Sequence, residues 1–319
     1  MSYSPAIQAA GHDGAMQSAS GELFVKPNAV AQEVEFYQTL ASGKYPDLEA
    51  ITCVFMGVLT EQDIGGPAGE QLIREAEQTQ DASKLEEHLV PAGNGNSGGI
   101  VLENALYGYT EPNVLDVKLG SILFDDSASQ EKRERLEEVS RTTTSGSLHL
   151  RVAGMNIYDE STKQRKWYDK FFGRNLTKEG IVDGLAQYFP KSMEPEKCRV
   201  LCEGIKRELE FMSETLHNQE LRMTSSSVLI IYEGDSNAFE TKLAINNQKA
   251  TELDNADEGA DDEEEEEEEE EENDKLFTVK LIDFAHTRFT PGEGPDTDSL
   301  TGLDNLITIF KDLEKRYDN

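Results

Sequence analysis

An aspartate two residues before a lysine, on an apolar strand, is the most chemically suggestive pairing in this chain. In Pro112-Asn-Val-Leu-Asp116-Val-Lys118-Leu-Gly120, strand alternation puts Asp116 and Lys118 on one face. Leu115, Val117 and Leu119 fall on the other, toward a core. The pair could be a plain ion pair. It could also orient a hydroxyl and neutralise a phosphoryl group. A second candidate lies late in the chain, in Leu281-Ile-Asp283-Phe-Ala-His286-Thr. An aspartate ending an apolar strand is a frequent way to hold Mg²⁺ against phosphates. A third lies early, where Gly11-His-Asp-Gly14 precedes a strand containing Lys26. A turn poor in side chains exposes backbone N–H groups to phosphates, and Lys26 would reach the same phosphates. Taken singly, each has a bland reading, since a strand lysine is more often a surface residue. Taken together, a lysine on an early strand, an acid–base pair in the middle and a late aspartate follow the order of a kinase. The HRDxxxxN loop and the DFG triplet of protein kinases are absent.

Other motifs drop out. Gly93–Gly98 (GNGNSG) matches GxGxxG, but it precedes a strand, whereas the dinucleotide fingerprint follows one and opens a helix. No GxxxxGK[ST], HExxH or GxSxG is present. Cys53, Cys198 and Cys202 are odd in number and lack CxxC spacing, which argues against a disulfide framework or a zinc site.

The charge balance narrows the class. The 319 residues carry 30 Lys+Arg against 63 Asp+Glu, net −33. That weakens a general nucleic-acid binder, which needs a basic footprint. No apolar stretch approaches the ~18–20 residues that cross a bilayer. The opening residues lack the basic and apolar segments of a signal peptide. A soluble intracellular protein is the expectation. Between Glu252 and Asp274 lie 17 acids and no base, and Asp261–Glu272 is unbroken acid. Such density repels itself and has nothing apolar to bury, so a disordered acidic insert is expected over about 236–274. It reads either as a solvated loop or as a docking tail for a basic nuclear protein.

The elements that must position the candidates follow from periodicity. Strands are expected at Gly21–Pro27, Ile51–Leu59, Ile100–Leu102, Val114–Leu119, Leu148–Tyr158, Val228–Tyr232 and Leu276–Phe284. Helices are expected at Ala31–Leu40, Glu131–Val139, Gly180–Phe189 and Lys197–Asn218, and at a last segment bearing Leu303, Leu306, Ile307, Phe310 and Leu313. Residues Asp63–Gly99 read as loop. Cys198 and Cys202 lie in the apolar stripe of the clearest helix, so they read as core thiols. Strands dominate early and helices later, which suggests an α+β protein with a sheet-rich first lobe, 1–104, and a mixed second lobe, 105–319.

Several blocks then carry a family resemblance. PNVLDVKLG resembles the PxxxDxKxG signature of the inositol polyphosphate kinases. SSVLIIYEG (from Ser226) is similar to that family's SSLL strand, and IDFAHT to its late metal-binding segment. AAGHDG, LFVKP, EVEFY, VLENALYG, EKRERLEEVSRTTTSGSL and FFGRNLTKEG agree. The compact length, RMTSSSVLIIYEGD and the acidic insert most resemble the fungal multikinases within it.

The resemblance implies a two-lobed kinase-like fold of the inositol polyphosphate kinase and SAICAR synthase type, using ATP and Mg²⁺. Lys26 would hold the ATP phosphates, and Glu103 with the following backbone would receive the adenine. Asp116 would sit by the ribose and the reacting hydroxyl. Lys118 would contact the transferred group and the substrate. Asp283 would coordinate Mg²⁺ with Ser226 or Ser227 close by, and His286 would lie near the inositol phosphate. The implied reaction converts inositol 1,4,5-trisphosphate to tetrakis- and pentakisphosphate at the 6- and 3-hydroxyls, with a sibling 3-kinase or hexakisphosphate kinase specificity as the alternative. A non-catalytic nuclear adaptor is the rival from another class. An acidic protein binds such a polyanion only through a concentrated basic pocket. Lys132, Arg133, Arg135 and Arg141 on one helix could supply it, or could merely pair with the neighbouring glutamates. Lys170 and Arg174 are further candidates. A monomer in nucleus and cytoplasm, without direct nucleic-acid binding, completes the expectation.

Overall fold

The computed structural model describes residues 9, 15–18, 20–59, 99–125, 128–255 and 274–318. The Gly11–Gly14 turn, the GNGNSG loop and the run Asp261–Glu272 lie outside the described residues. Two antiparallel sheets carry the rest. The first has order β1-β2-β4-β3, built from β1 (Met16–Gln17), β2 (Leu23–Pro27), β3 (Phe55–Leu59) and β4 (Gly99–Glu103). The second has order β10-β9-β5-β6-β7. Its strands are β5 (Pro112–Leu119), β6 (Leu150–Asp159), β7 (Gln164–Tyr168), β9 (Ser227–Glu233) and β10 (Phe277–Ile282). A short ribbon pairs β8 (Leu221–Met223) with β11 (Thr287–Phe289).

The helices follow the same chain order. With the first sheet go α1 (Ala31–Thr39) and α2 (Pro46–Ala50), joined by a π-turn over Leu40–Lys44. Between β5 and β6 come α3 (Gln130–Thr142) and α4 (Thr144–Leu148). After β7 come α5 (Lys170–Asn175), α6 (Ile181–Leu185) and α7 (Pro195–His217). Then follow α8 (Ser236–Asn255) and α9 (Thr297–Tyr317).

Strand β5 explains the architecture. Its odd residues Leu115, Val117 and Leu119 are fully buried in the core, together with Leu201, Ile205 and Leu209 of α7 and Leu303, Leu306 and Phe310 of α9. Each such side chain contributes about 1.5–3 kcal/mol by leaving water. Cys198 and Cys202 are buried on the same stripe of α7, as free thiols. The even residues face the opposite way. Val114 packs with Ala9 and Ile231 in a small separate cluster, and Asp116 and Lys118 continue that face.

The expected elements are present, with boundary shifts of a few residues; β1, α2, α4, β7, α5, β8, β11 and α8 were not among them. Strand β7 is a polar, largely exposed edge, so it carries no apolar alternation to read. The ribbon strands β8 and β11 are three residues each. The largest correction is α8. Residues 236–255, expected as the start of the disordered insert, form a helix. Asp235 accepts from the Asn237 and Ala238 N–H groups as a cap, Phe239 is buried, and Lys242 Nζ reaches Glu233 Oε2 at 3.0 Å. Tertiary burial overrides the composition there.

One clamp holds the end of β5. The Asp298 carboxylate, in the first turn of α9, accepts from Ser121 N at 2.8 Å, Ile122 N at 3.0 Å, Ser121 Oγ at 2.7 Å and His149 Nδ1 at 2.5 Å. Gly120 has a positive φ of 85°, and a Cβ there would strike this carboxylate. That is the physical reason for glycine at the end of the PxxxDxKxG segment. Burial alone would raise the Asp298 carboxyl, but donors from Ile122, Ser121 and His149 outweigh it and hold it below its usual 3.8. Its contribution is therefore present above about pH 4 and lost as pH falls through the folded value. Asp298→Asn should cost about 2 kcal/mol near neutral pH. It should also flatten the acid limb of the melting temperature between about pH 5 and pH 3, as read by thermal denaturation at stepped pH.

Candidate active site

The even face of β5 meets the first sheet across a cleft of about 830 Å³, open to solvent. Lys26, Glu33, Glu103, Asp116 and Asp283 line it. Lys26 comes from β2 and is buried. Its Nζ lies 2.7 Å from Glu33 Oε1 of α1 and 3.0 Å from Asp283 Oδ1. Burial pushes the Lys26 ammonium down, but Asp283 and Glu33 outweigh it and hold it above its ordinary value. Lys118 Nζ approaches the other Asp283 oxygen at 3.6 Å. It also donates to the Ser225 carbonyl at 3.1 Å and to Ser227 Oγ at 3.3 Å. Asp283 thus sits between two lysines, one from each sheet.

The backbone of Asp283 is held firmly. It has a positive φ of 66°, sparsely populated for a residue with a Cβ. Ser226 Oγ donates to the Asp283 carbonyl at 3.1 Å. Phe284, the next residue, stacks on Phe36 of α1 with centroids 4.3 Å apart. Ser226 was a candidate metal neighbour; its hydroxyl, fully buried, is instead engaged with that carbonyl and with Thr287. Ser227 lies between Asp116 and Lys118, interacting with both side chains.

Asp116 is buried, and its Oδ1 has no hydrogen-bond partner. Burial pushes the Asp116 carboxyl up to about 6; Asp283 adds to the rise and Lys118 opposes it. A buried carboxylate oxygen facing a cleft without a donor suits a ligand hydroxyl. Glu103 lies at the end of β4, where the chain leaves the first sheet. Its carboxylate accepts from Val54 N at 3.0 Å and sits 3.8 Å from Lys280 Nζ. The following residues Asn104, Ala105 and Leu106 line the cleft.

The substrate candidates divide. His286 Nδ1 is 2.5 Å from Asp125 Oδ2, which ties the late segment to the loop that enters α3. Lys132 and Arg135 are exposed on α3 with no acidic partner among the described residues. Arg133 turns back to donate to the Ala128 carbonyl and lies over Phe124. Arg141 is engaged by Glu138 on the exposed side of the helix. Lys170 and Arg174 lie over the exposed Phe171 ring. Sequence reasoning missed Glu33, Asp125 and Arg151. Glu33 was findable, as an acid beside the apolar Val34, Phe36 and Tyr37 of α1. Asp125 and Arg151 carry no local signal, because only the tertiary fold brings them near the site.

Among the described residues no group of three or more His, Cys, Asp or Glu is placed to hold a metal ion by itself. Among the described residues, Asp283 offers a cleft-facing carboxylate between two ammonium groups. Mg²⁺ is commonly bound by one or two carboxylates together with phosphates, and this donor set fits that mode.

Comparison with known proteins decides the family. The inositol polyphosphate kinase family model matches residues 99–311. The chain belongs to the inositol polyphosphate kinase family. It is 33% identical to the inositol polyphosphate multikinase of Saccharomyces cerevisiae, covering 95% of this chain and 96% of that protein. It is 29% identical to the multikinase of Schizosaccharomyces pombe, covering 97% of each. Mouse inositol hexakisphosphate kinase 3 is 32% identical over 68% of this chain and 51% of its own length. In structure, the chain is similar to the S. cerevisiae inositol phosphate multikinase in complex with ADP and Mn²⁺. That match has a TM-score of 0.65 and 32% identity, over 92% of this chain and 99% of that one. The two multikinase matches span nearly all of this chain, while the hexakisphosphate kinase match covers a smaller part of it.

Asp116 gives a stability test of this site geometry. A carboxyl raised from 3.8 to about 6 contributes stability below about pH 4 that is lost as pH rises through 6. Asp116→Asn stays neutral. The variant should therefore gain on the parent by about 3 kcal/mol between pH 4 and pH 8, measured by chemical denaturation at both pH values.

Proposed function

We propose that this chain is an ATP- and Mg²⁺-dependent inositol polyphosphate multikinase, phosphorylating inositol 1,4,5-trisphosphate at the 6- and 3-hydroxyls to tetrakis- and pentakisphosphate. The single observation that carries the kinase reading is Asp283 held between Lys26 and Lys118 at the cleft between the two sheets. The multikinase specificity is supported by end-to-end similarity to two fungal multikinases.

Bound MgATP supplies the γ-phosphoryl group and an electrophilic phosphorus. The protein's part is positioning and charge neutralisation. Lys26, fixed by Glu33, holds non-transferred phosphates. Asp283 offers its carboxylate to the metal, and its neighbour Phe284 keeps that carboxylate in place through the aromatic stack. Lys118 neutralises charge on the group in transfer. Asp116, whose Oδ1 has no donor, accepts from a hydroxyl, on the ribose or on the acceptor ring. The backbone after Glu103 receives the base. His286, Lys132 and Arg135 face the acceptor's phosphates.

The deciding assay incubates the protein with MgATP and inositol 1,4,5-trisphosphate and resolves products by ion-exchange chromatography. Conversion through tetrakis- to pentakisphosphate is expected. A halt at one tetrakisphosphate would replace the reading with a 3-kinase. Asp283→Asn should lower kcat by about 10³-fold or more, as expected for removal of a metal-directed charge. Lys26→Met should raise the KM for ATP at least tenfold, with a smaller change in the KM for the inositol.

A further inference from the structure

After Lys118 the chain leaves the second sheet, and it returns to that sheet at Leu150. The excursion between these points carries α3 and α4, and with them Lys132 and Arg135. Both of its ends converge on one side chain of α9, Asp298. Asp298 Oδ2 accepts from the Ser121 and Ile122 N–H groups of the outgoing chain. Asp298 Oδ1 accepts from Ser121 Oγ and meets His149 Nδ1 of the returning chain. Backbone contacts tighten the same junction. The Gly120 N–H donates to the His149 carbonyl at 2.7 Å. Helix α9 lies so close that a Cβ on Gly302 would run into that carbonyl. Further along α9, Asn305 Nδ2 donates to the Leu148 carbonyl at 2.9 Å. The last turn of α3 is tied back as well, since Ser140 Oγ donates to the Ser121 carbonyl at 2.7 Å.

His149 is the unusual member of this junction. It ends α4 in the left-handed region, with φ 53°. Helices that end in this conformation usually do so on glycine, which adopts it without steric cost. A residue with a side chain is unfavourable there and persists where surrounding contacts hold it in place. The contact here is the imidazole on Asp298. Glycine would keep the turn and lose the link between the returning and the outgoing chain. The imidazole therefore serves something that the turn itself does not require.

The junction begins two residues after Lys118. Lys118 itself is held by the ladders to β6 and β9, so its place is set within the sheet. The direction in which the chain departs from Gly120 is set outside the sheet, by Asp298. That direction decides where α3 stands relative to the group in transfer, and small misplacements of a positioning element are costly to a reaction. Lys26, Glu103 and Asp283 belong to β2, to β4 and to the segment after β10, away from this junction. We propose that Asp298 and His149 are positioning residues that close the neck of the excursion and set α3, with Lys132 and Arg135, against Lys118 for the phosphates of the acceptor. The inference rests on the kinase reading for the identity of that acceptor. Its expected signature is a loss on the acceptor side of the reaction, with the nucleotide side untouched.

The experiment uses the full chain and the variants His149→Gly, His149→Asn and Asp298→Asn. Steady-state kinetics would give separate KM values for inositol 1,4,5-trisphosphate and ATP. His149→Gly should raise the inositol KM about fivefold or more and leave the ATP KM within about twofold. Its melting temperature should stay close to the parent's, because relief of the strained φ offsets the lost pair. Asparagine tolerates the left-handed region and keeps a donor for Asp298, so His149→Asn should bring the inositol KM back toward the parent value. Asp298→Asn, which removes the junction's charge, should raise the inositol KM at least as much as His149→Gly. An unchanged inositol KM in His149→Gly would overturn the proposal. So would a fall in melting temperature with lower kcat at constant KM, which marks a purely structural role. Hydrogen exchange followed by mass spectrometry needs no turnover and separates this inference from the kinase reading. In His149→Gly the amides of residues 130–142 should exchange about tenfold faster, with those of β9 and α7 unchanged. If the parent turns over no inositol phosphate, the kinase reading fails on its own. Faster exchange in 130–142 would then still support the neck clamp, and equal exchange would overturn it.

Discussion

The position of one carboxylate, Asp283, depends on residues from both sheets, and the site depends on it in turn. Its two oxygens face two ammonium groups, Lys26 from the first sheet and Lys118 from the second. Lys26 and Asp283 are 257 residues apart in sequence. Opposite charges at this range stabilise each other strongly only when partly desolvated, and the cleft provides that. Removing either sheet would leave a buried or half-buried charge without its partner, which is far more costly than never having had the pair. The interaction therefore couples closure of the cleft to the integrity of the site.

Apolar packing makes that coupling durable. The aromatic group of Phe36, Tyr37, Phe284 and Phe289 bridges α1 to the chain that follows Asp283. The Leu281 N–H donates to the Ile51 carbonyl at 2.7 Å, and Lys280 Nζ reaches the Thr52 carbonyl at 2.9 Å. Aromatic stacks and backbone hydrogen bonds set the geometry, and the charges act within it. Glu233 has an analogous role at the other end. It is fully buried, accepts from the Thr110 and Glu111 N–H groups, and pairs with Lys242. It thereby fixes the segment that carries the chain from one sheet to the other. A buried charge that is fully satisfied in this way rigidifies its surroundings.

Strand β5 shows how one short segment serves stability and chemistry together. Its odd side chains fill the core, and its even side chains furnish the cleft. The register with β9 places Lys118 beside Ser227 and Asp116 beside Leu229. A slip of one residue would bury the lysine in the core and expose Leu115 and Val117 to the cleft. The strand is thus specified from both faces, and Gly120 ends it where Asp298 needs the space.

The sequence by itself determined the local facts: period-two strands, the apolar stripes of α7 and α9, and the types and order of Lys26, Asp116, Lys118 and Asp283. These are set by residue identity and spacing along a few turns or strand steps, so they are legible without a fold. The helix at 236–255 was not legible, because its stability comes from Phe239 and Lys242 docking on distant partners rather than from composition. Nor was the division of labour among the basic residues. Arg133 turns to Ala128 and Arg141 to Glu138, although both are arginines of one polar helix. Where a charged side chain goes depends on which acceptors and which dielectric surround it after folding. Those are properties of chain segments far apart in sequence, and only the tertiary structure brings them together.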